Sequence, residues 1–73
     1  MVEMRRENGV TICTVVYQAG KSTFLWIFEP SRKWKVRSEV ALFALCKSLD
    51  FTWSDACEVY GLIDLAINAA GEA

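Results

Sequence analysis

Residues 32–37 carry the side chains best suited to binding a charged or aromatic partner. Four cations surround Trp34 in this segment: Arg32, Lys33, Lys35 and Arg37. Cations pair with phosphates and carboxylates, and an indole ring stacks on nucleic-acid bases or fills a pocket in a protein. The segment therefore predicts either a binding surface or a solvated edge strand whose Trp34 packs inward.

Gly20, Lys21 and Ser22 resemble the end of a phosphate-binding loop, but the surrounding sequence does not fit one. Val15 stands where that motif has its first glycine, and strand-forming residues follow in place of a helix. Phosphate is bound there by a glycine-rich loop and by the N-terminus of the following helix. Because neither is predicted, we expect a hairpin turn.

The remaining polar groups form no catalytic pattern. The chain has no histidine, which removes most metal sites and the usual general base. Three carboxylates are expected on the solvated side of a helix: Asp55, Glu58 and Asp64. No closely spaced pair exists among Cys13, Cys46 and Cys57, whose apolar neighbours predict reduced, buried thiols in the cytoplasm. We therefore expect no enzymatic activity, no cofactor and no metal.

Charge is distributed unevenly along the chain. Residues 1–37 hold seven basic and three acidic side chains, a net charge of +4, whereas residues 38–73 hold one basic and six acidic side chains, a net charge of −5. The chain as a whole carries −1. Either the folded molecule has a basic and an acidic end, or the two halves neutralise each other across an internal contact.

The strand signals lie in the first half. Residues 10–17 and 22–28 are rich in β-branched and aromatic side chains and are separated by a turn containing Gly20, which predicts an antiparallel hairpin. Pro30 ends the second strand because it has no N–H for the ladder. Residues 33–36 alternate between charged and apolar side chains, which predicts a short third strand at the sheet edge.

Two helices are predicted after the strands. Ser38 caps the first, which begins at Glu39, and its buried face is expected to contain Leu42, Leu45, Cys46 and Leu49. The second runs from about Trp53 to Ala70, after a variant of the capping box at Thr52 and Asp55, and Gly71 ends it. Its buried face is expected to contain Ala56, Val59, Tyr60, Ile63, Ile67 and Ala70.

These elements predict an α+β fold, ββ(β)αα, as one small domain over residues 1–73. A two-stranded hairpin with a short third edge strand forms an antiparallel sheet, and a two-helix hairpin follows it. The longest uncharged apolar runs, residues 22–28 and 40–46, are too short to cross a membrane. No membrane association is expected.

Both faces of the predicted sheet are apolar, which is more than so short a chain can bury. One face of the second strand carries Phe24, Trp26 and Phe28, and the other carries Leu25 and Ile27. Extended apolar surface of this kind marks an interface, so we expect a homodimer or a complex with another protein.

The function predicted from these features is that of a small protein-binding regulator or inhibitor that occludes a larger partner, for instance one encoded by a phage or other mobile element. The expected partner-binding residues are Phe24, Trp26, Phe28, Arg32, Lys33, Trp34, Lys35 and Arg37. The alternative is a nucleic-acid-binding regulator that uses the same basic, aromatic face. If the helices instead cover the aromatic face, those aromatic residues are core, and the residues that face outward or into a dimer are Leu25, Ile27, Ile12 and Val16.

Overall fold

The computed structural model describes residues 1–71. Three antiparallel strands pair in the order β1-β2-β3, with β1 at Val2–Glu7, β2 at Val10–Ala19 and β3 at Ser22–Phe28. A short 3-10 helix at Pro30–Arg32 leads into α1 at Lys33–Leu45, and α2 follows at Trp53–Ala69. The predicted fold class, a three-stranded antiparallel sheet followed by two helices, is confirmed.

The third strand lies at the beginning of the described chain, so its predicted position was wrong. Residues 33–36 form the first turn of α1. The third strand is β1, which Asn8 and Gly9 turn back onto β2 with φ values of 52° and 79°. Positive φ at both central residues defines the type I′ turn of a two-residue hairpin. The six residues of β1 include four charged ones, and this composition conceals the strand.

The hairpin of β2 and β3 was predicted correctly, and it sets which side chains face the helices. Its turn is at Gly20 and Lys21, where Gly20 has a φ of 61°. Opposite residues of the two strands point to the same face, and three such pairs face the helices: Cys13 with Phe28, Val15 with Trp26, and Tyr17 with Phe24. All of them are buried except Tyr17, which is half-buried against the core. Pro30 follows shortly after β3 ends, as expected.

The structure corrects the predicted start and buried face of α1. The helix begins at Lys33 rather than Glu39, and Pro30 begins the 3-10 turn that precedes it. This earlier start places Val36, Val40 and Phe43 on one stripe against the sheet. Of the residues predicted to be buried, Leu42 and Leu45 point outward and are each more than 60% exposed. Cys46 and Leu49 are also exposed, and they lie beyond the helix, which ends at Leu45.

The prediction for α2 is confirmed in its cap and in its buried face. Thr52 Oγ1 accepts a hydrogen bond from the Asp55 N–H at 3.2 Å, and Asp55 Oδ2 accepts one from the Thr52 N–H at 2.9 Å. The predicted core residues of the helix are buried, or half-buried in the case of Tyr60 and Ala70. Ala66, which the prediction omitted, is also fully buried.

Both helices pack on the same face of the sheet. Helix α1 lies against β3, and α2 lies against β2 and β1. The opposite face of the sheet therefore has no covering layer among residues 1–71. Neither of these helices combines the length and the apolar character that crossing a bilayer would require.

Candidate interaction surfaces

The aromatic face of β3 forms the core of the protein. Phe24, Trp26 and Phe28 are at most 9% exposed, so three of the eight residues expected to bind a partner are covered by the helices. The rings of Phe24 and Trp26 join those of Phe43 and Phe51, with centroid separations of 5.0–6.2 Å in this cluster. Burying the large rings removes more apolar area from water than burying Leu25 and Ile27 would.

The other five expected binding residues lie together at the start of α1, and we call them the basic patch: Arg32, Lys33, Trp34, Lys35 and Arg37. Trp34 is 73% exposed, more than any other large apolar residue described. Lys33 Nζ and Arg37 Cζ each lie 5.5 Å from the centroid of its ring. Because Trp34 points outward from a helix, the alternative of an edge strand with Trp34 packed inward was wrong.

Asp64 of α2 neutralises part of the basic patch. Its Oδ1 lies 3.3 Å from Lys33 Nζ and 3.6 Å from Arg37 Nη1, and the Arg37 guanidinium also lies 4.7 Å from the Tyr60 ring centroid. Basic and acidic halves of the chain therefore neutralise each other partly across the helix pair. Among residues 1–71, Arg32 and Lys35 have no ion-pair partner and are exposed.

A cleft of about 620 Å³ opens beside the basic patch, at the end of the sheet where β1 turns into β2. Lys33 and Trp34 line it together with Arg6, the buried Thr11 and Ile67 of α2. Other basic residues of the first half lie elsewhere: Arg5 pairs with Glu7 at 3.4 Å, and Lys21 lies in the turn at the opposite end of β2.

The uncovered face of the sheet is the second candidate surface, and we call Ile12, Val16, Leu25 and Ile27 the open sheet face. Leu25 and Ile27 are 57% and 59% exposed, and Ile12 and Val16 are half-buried. These are the residues expected to point outward if the helices covered the aromatic face. The greater bulk of the aromatic residues was the sequence signal that could have decided between the two faces.

A tyrosine and two carboxylates connect the sheet to α2. The Tyr17 hydroxyl lies 2.7 Å from Asp55 Oδ1 and 2.8 Å from Glu58 Oε2. The hydrogen bond to Asp55, followed by burial and the bond to Glu58, raises the pKa of Tyr17. The Thr52 N–H and then the Tyr17 hydroxyl lower the pKa of Asp55. Asp55 was expected on a solvated face, but it is half-buried and holds the helix cap.

The cysteines differ in their surroundings, so the prediction that all three are buried was wrong. Cys13 is buried, Cys46 and Cys57 are exposed, and no disulfide joins them. The Cys46 thiol lies 3.2 Å from Ser48 Oγ, and this hydrogen bond lowers the pKa of the thiol. In the part of the chain that the structure describes, no cluster of three potential ligand side chains could hold a metal ion.

Compared with known protein families, curated proteins and solved structures, the chain shows no match. The two surfaces themselves, the basic patch and the open sheet face, are therefore the basis for any functional conclusion.

Proposed function

We propose that this protein is a non-enzymatic, protein-binding regulator that occludes a larger partner, with Trp34 as its main anchor. The observation that carries the proposal is the 73% exposure of Trp34 at the centre of the basic patch. An exposed tryptophan offers large apolar area on a side chain with only two rotatable bonds, and tryptophan and arginine are enriched among residues that dominate protein interfaces.

The surroundings of Trp34 support this role. The ring projects from a regular helix, and Lys33 and Arg37, which flank it, are themselves held by Asp64. A side chain positioned in this way loses less conformational entropy on binding than one on a mobile loop. Arg32 and Lys35, which have no ion-pair partner among residues 1–71, suit a partner whose binding pocket has an acidic rim.

The test compares two exposed tryptophans. The tagged protein captures its partner from a host lysate, mass spectrometry identifies that partner, and titrations follow with Trp34→Ala and with Trp53→Ala, whose side chain is 51% exposed at the start of α2. We expect Trp34→Ala to weaken binding by about 30-fold, as a central anchor does. Trp53→Ala should bind like the wild type. Equal effects, or none from Trp34→Ala, would refute the assignment.

Nucleic-acid binding is the alternative, and the charges favour it less. Asp64 pairs with two of the four cations of the basic patch and so offsets one of their positive charges, and the chain carries a net charge of −1. Binding to phosphates would weaken steeply as salt increases, whereas an aromatic anchor in a protein pocket is much less sensitive to salt. Micromolar, salt-sensitive retention of DNA or RNA on a filter would replace the protein partner with a nucleic acid.

We also propose that the protein is cytoplasmic. Cys46 and Cys57 are exposed thiols without a disulfide partner, a state that a reducing compartment maintains.

A further inference from the structure

Strand β3 has a free edge, and its outward backbone groups can be identified. The Val16 N–H donates to the Met1 carbonyl at 2.8 Å, and the Met1 amine donates to the Val16 carbonyl at 2.7 Å. Val16 therefore directs its backbone N–H and C=O away from β3. Leu25 lies opposite Val16. Because hydrogen-bonded and non-hydrogen-bonded pairs alternate in an antiparallel ladder, the N–H and C=O of Leu25 point away from β2.

The same alternation turns the backbone groups of Thr23 and Ile27 outward. Three N–H and three C=O groups at Thr23, Leu25 and Ile27 therefore form a continuous edge on a seven-residue strand without a single charged residue. An edge of this kind is a template for another strand unless charges or a proline block it. The edge of β1 is blocked in this sense, because four of its six residues are charged.

We propose that β3 pairs with β3 of a second copy of this chain, antiparallel and centred on Leu25. In this register Leu25 lies opposite Leu25 of the second copy, and Thr23 lies opposite Ile27. The three pairs form about six backbone hydrogen bonds, two for each pair. The result is a six-stranded sheet with two-fold symmetry, the commonest symmetry of homo-oligomers.

Charge complementarity supports this register and this occupant. Centring the pairing on Leu25 sets Lys21, at one end of the strand, beside Glu29 of the second copy at the other end. Both residues lie just outside β3, and Glu29 continues the extended backbone of the strand, with φ −88° and ψ 146°. Among residues 1–71, neither residue forms an ion pair within its own chain. The symmetry creates this contact twice, once at each end of the joined strands.

The apolar side chains support a second copy as well. Leu25 and Ile27 stand on the open sheet face, and strand pairing brings them beside their counterparts from the second copy. Cross-strand apolar pairs stabilise a sheet, and here they cover part of two side chains that are more than half exposed in one chain. This pairing of β3 strands is separate from partner binding by Trp34 and involves none of the residues of the basic patch.

Light scattering on the full chain across the micromolar range tests the dimer. We expect twice the mass of one chain, which is 8.2 kDa. Leu25→Lys places two like charges opposite each other and should give a folded monomer. Leu65→Lys is the matched control, since Leu65 is also 57% exposed but lies on α2, and it should remain a dimer. A wild-type monomer at high micromolar concentration overturns the inference while leaving the Trp34 proposal intact.

A charge exchange tests the register. Lys21→Glu and Glu29→Lys should each weaken the dimer, and the double variant should restore it.

Amide hydrogen exchange adds a residue-level measurement. The amides of Leu25 and Ile27 should become protected as protein concentration rises, whereas those of Phe24 and Trp26 should be protected throughout. A dimer that survives Leu25→Lys, or a double variant without recovery, would refute the pairing, and binding of β3 to a different protein would replace it.

Discussion

Trp26 lies at the centre of the core, stacked on Phe24 at a centroid distance of 6.0 Å and tilted against Phe43 at 5.8 Å. Its indole Nε1 is buried and has no hydrogen-bond partner in the described structure. A buried donor without a partner costs about 1–3 kcal/mol. The ring's apolar packing must therefore offset this penalty, which makes Trp26 a residue of the core rather than of a binding surface.

The two faces of β3 should respond differently to truncation. Trp26→Ala removes a ring that is 4% exposed and should lower the free energy of unfolding by about 3–5 kcal/mol, close to the entire stability of so small a domain. Ile27→Ala, at a position that is 59% exposed, should lower it by less than about 1 kcal/mol. Urea denaturation followed by circular dichroism measures both, and the reverse order would contradict the assignment of the core face.

The lowered pKa of Asp55 makes part of the stability dependent on pH. A carboxyl whose folded-state pKa is depressed stabilises the fold fully above its ordinary pKa of 3.8, and this contribution is lost as the pH falls through the lower folded-state value. Asp55→Asn should therefore flatten the acid side of the stability profile. Urea denaturation from neutral to acidic pH tests this, with Glu39→Gln, at an exposed site on α1, as the control. An unchanged profile in Asp55→Asn would contradict it.

At the level of secondary-structure elements, the sequence correctly predicted the elements that two independent local signals indicate. The hairpin of β2 and β3 has both strand composition and a glycine turn, and α2 has both a capping box and a helical apolar stripe. Strand β1 was missed because four of its six residues are charged. Asn8 and Gly9, a pair typical of two-residue hairpin turns, were a signal that could have located it. The start of α1 was placed too late because a short alternation of charged and apolar residues fits a strand and one turn of helix equally well.

At Gly20, the loop between the helices comes close to the hairpin turn. A Cβ atom added to Gly20 would overlap Asp50 Oδ2, and the φ of 61° also disfavours any other residue. Gly9 has a φ of 79°, but a Cβ atom added there would meet nothing within 4 Å. Both alanine variants should lose about 1–2 kcal/mol from backbone strain, and Gly20→Ala should lose more because Asp50 must move.

Thermal denaturation of Gly9→Ala and Gly20→Ala measures that difference. Asp50→Ala should relieve part of the loss in Gly20→Ala and none of the loss in Gly9→Ala. Equal losses in the two glycine variants would mean that Asp50 does not constrain the turn.

At the scale of the whole molecule, the two faces of the sheet differ, because one is covered by the helices and the other is not. Helices cover only the aromatic side, so a chain of this size has side chains such as Leu25 and Ile27 left over on the other. That such an excess exists was predictable from the composition. Which face of the sheet carries the excess apolar surface depends on which face the helices cover. The helices cover the face with the bulkier side chains, and the alternation of residues along the strand does not distinguish the two faces.

The charged residues of β1 decide how far strand pairing can extend. If two β3 edges join, the edges left on the sheet formed by residues 1–71 of each chain are the two β1 strands, whose charged residues oppose further pairing: Glu3, Arg5, Arg6 and Glu7. Assembly by this route therefore closes at two chains and cannot propagate into a fibril. A substitution that made β1 uncharged would remove that limit and turn a finite complex into a growing one.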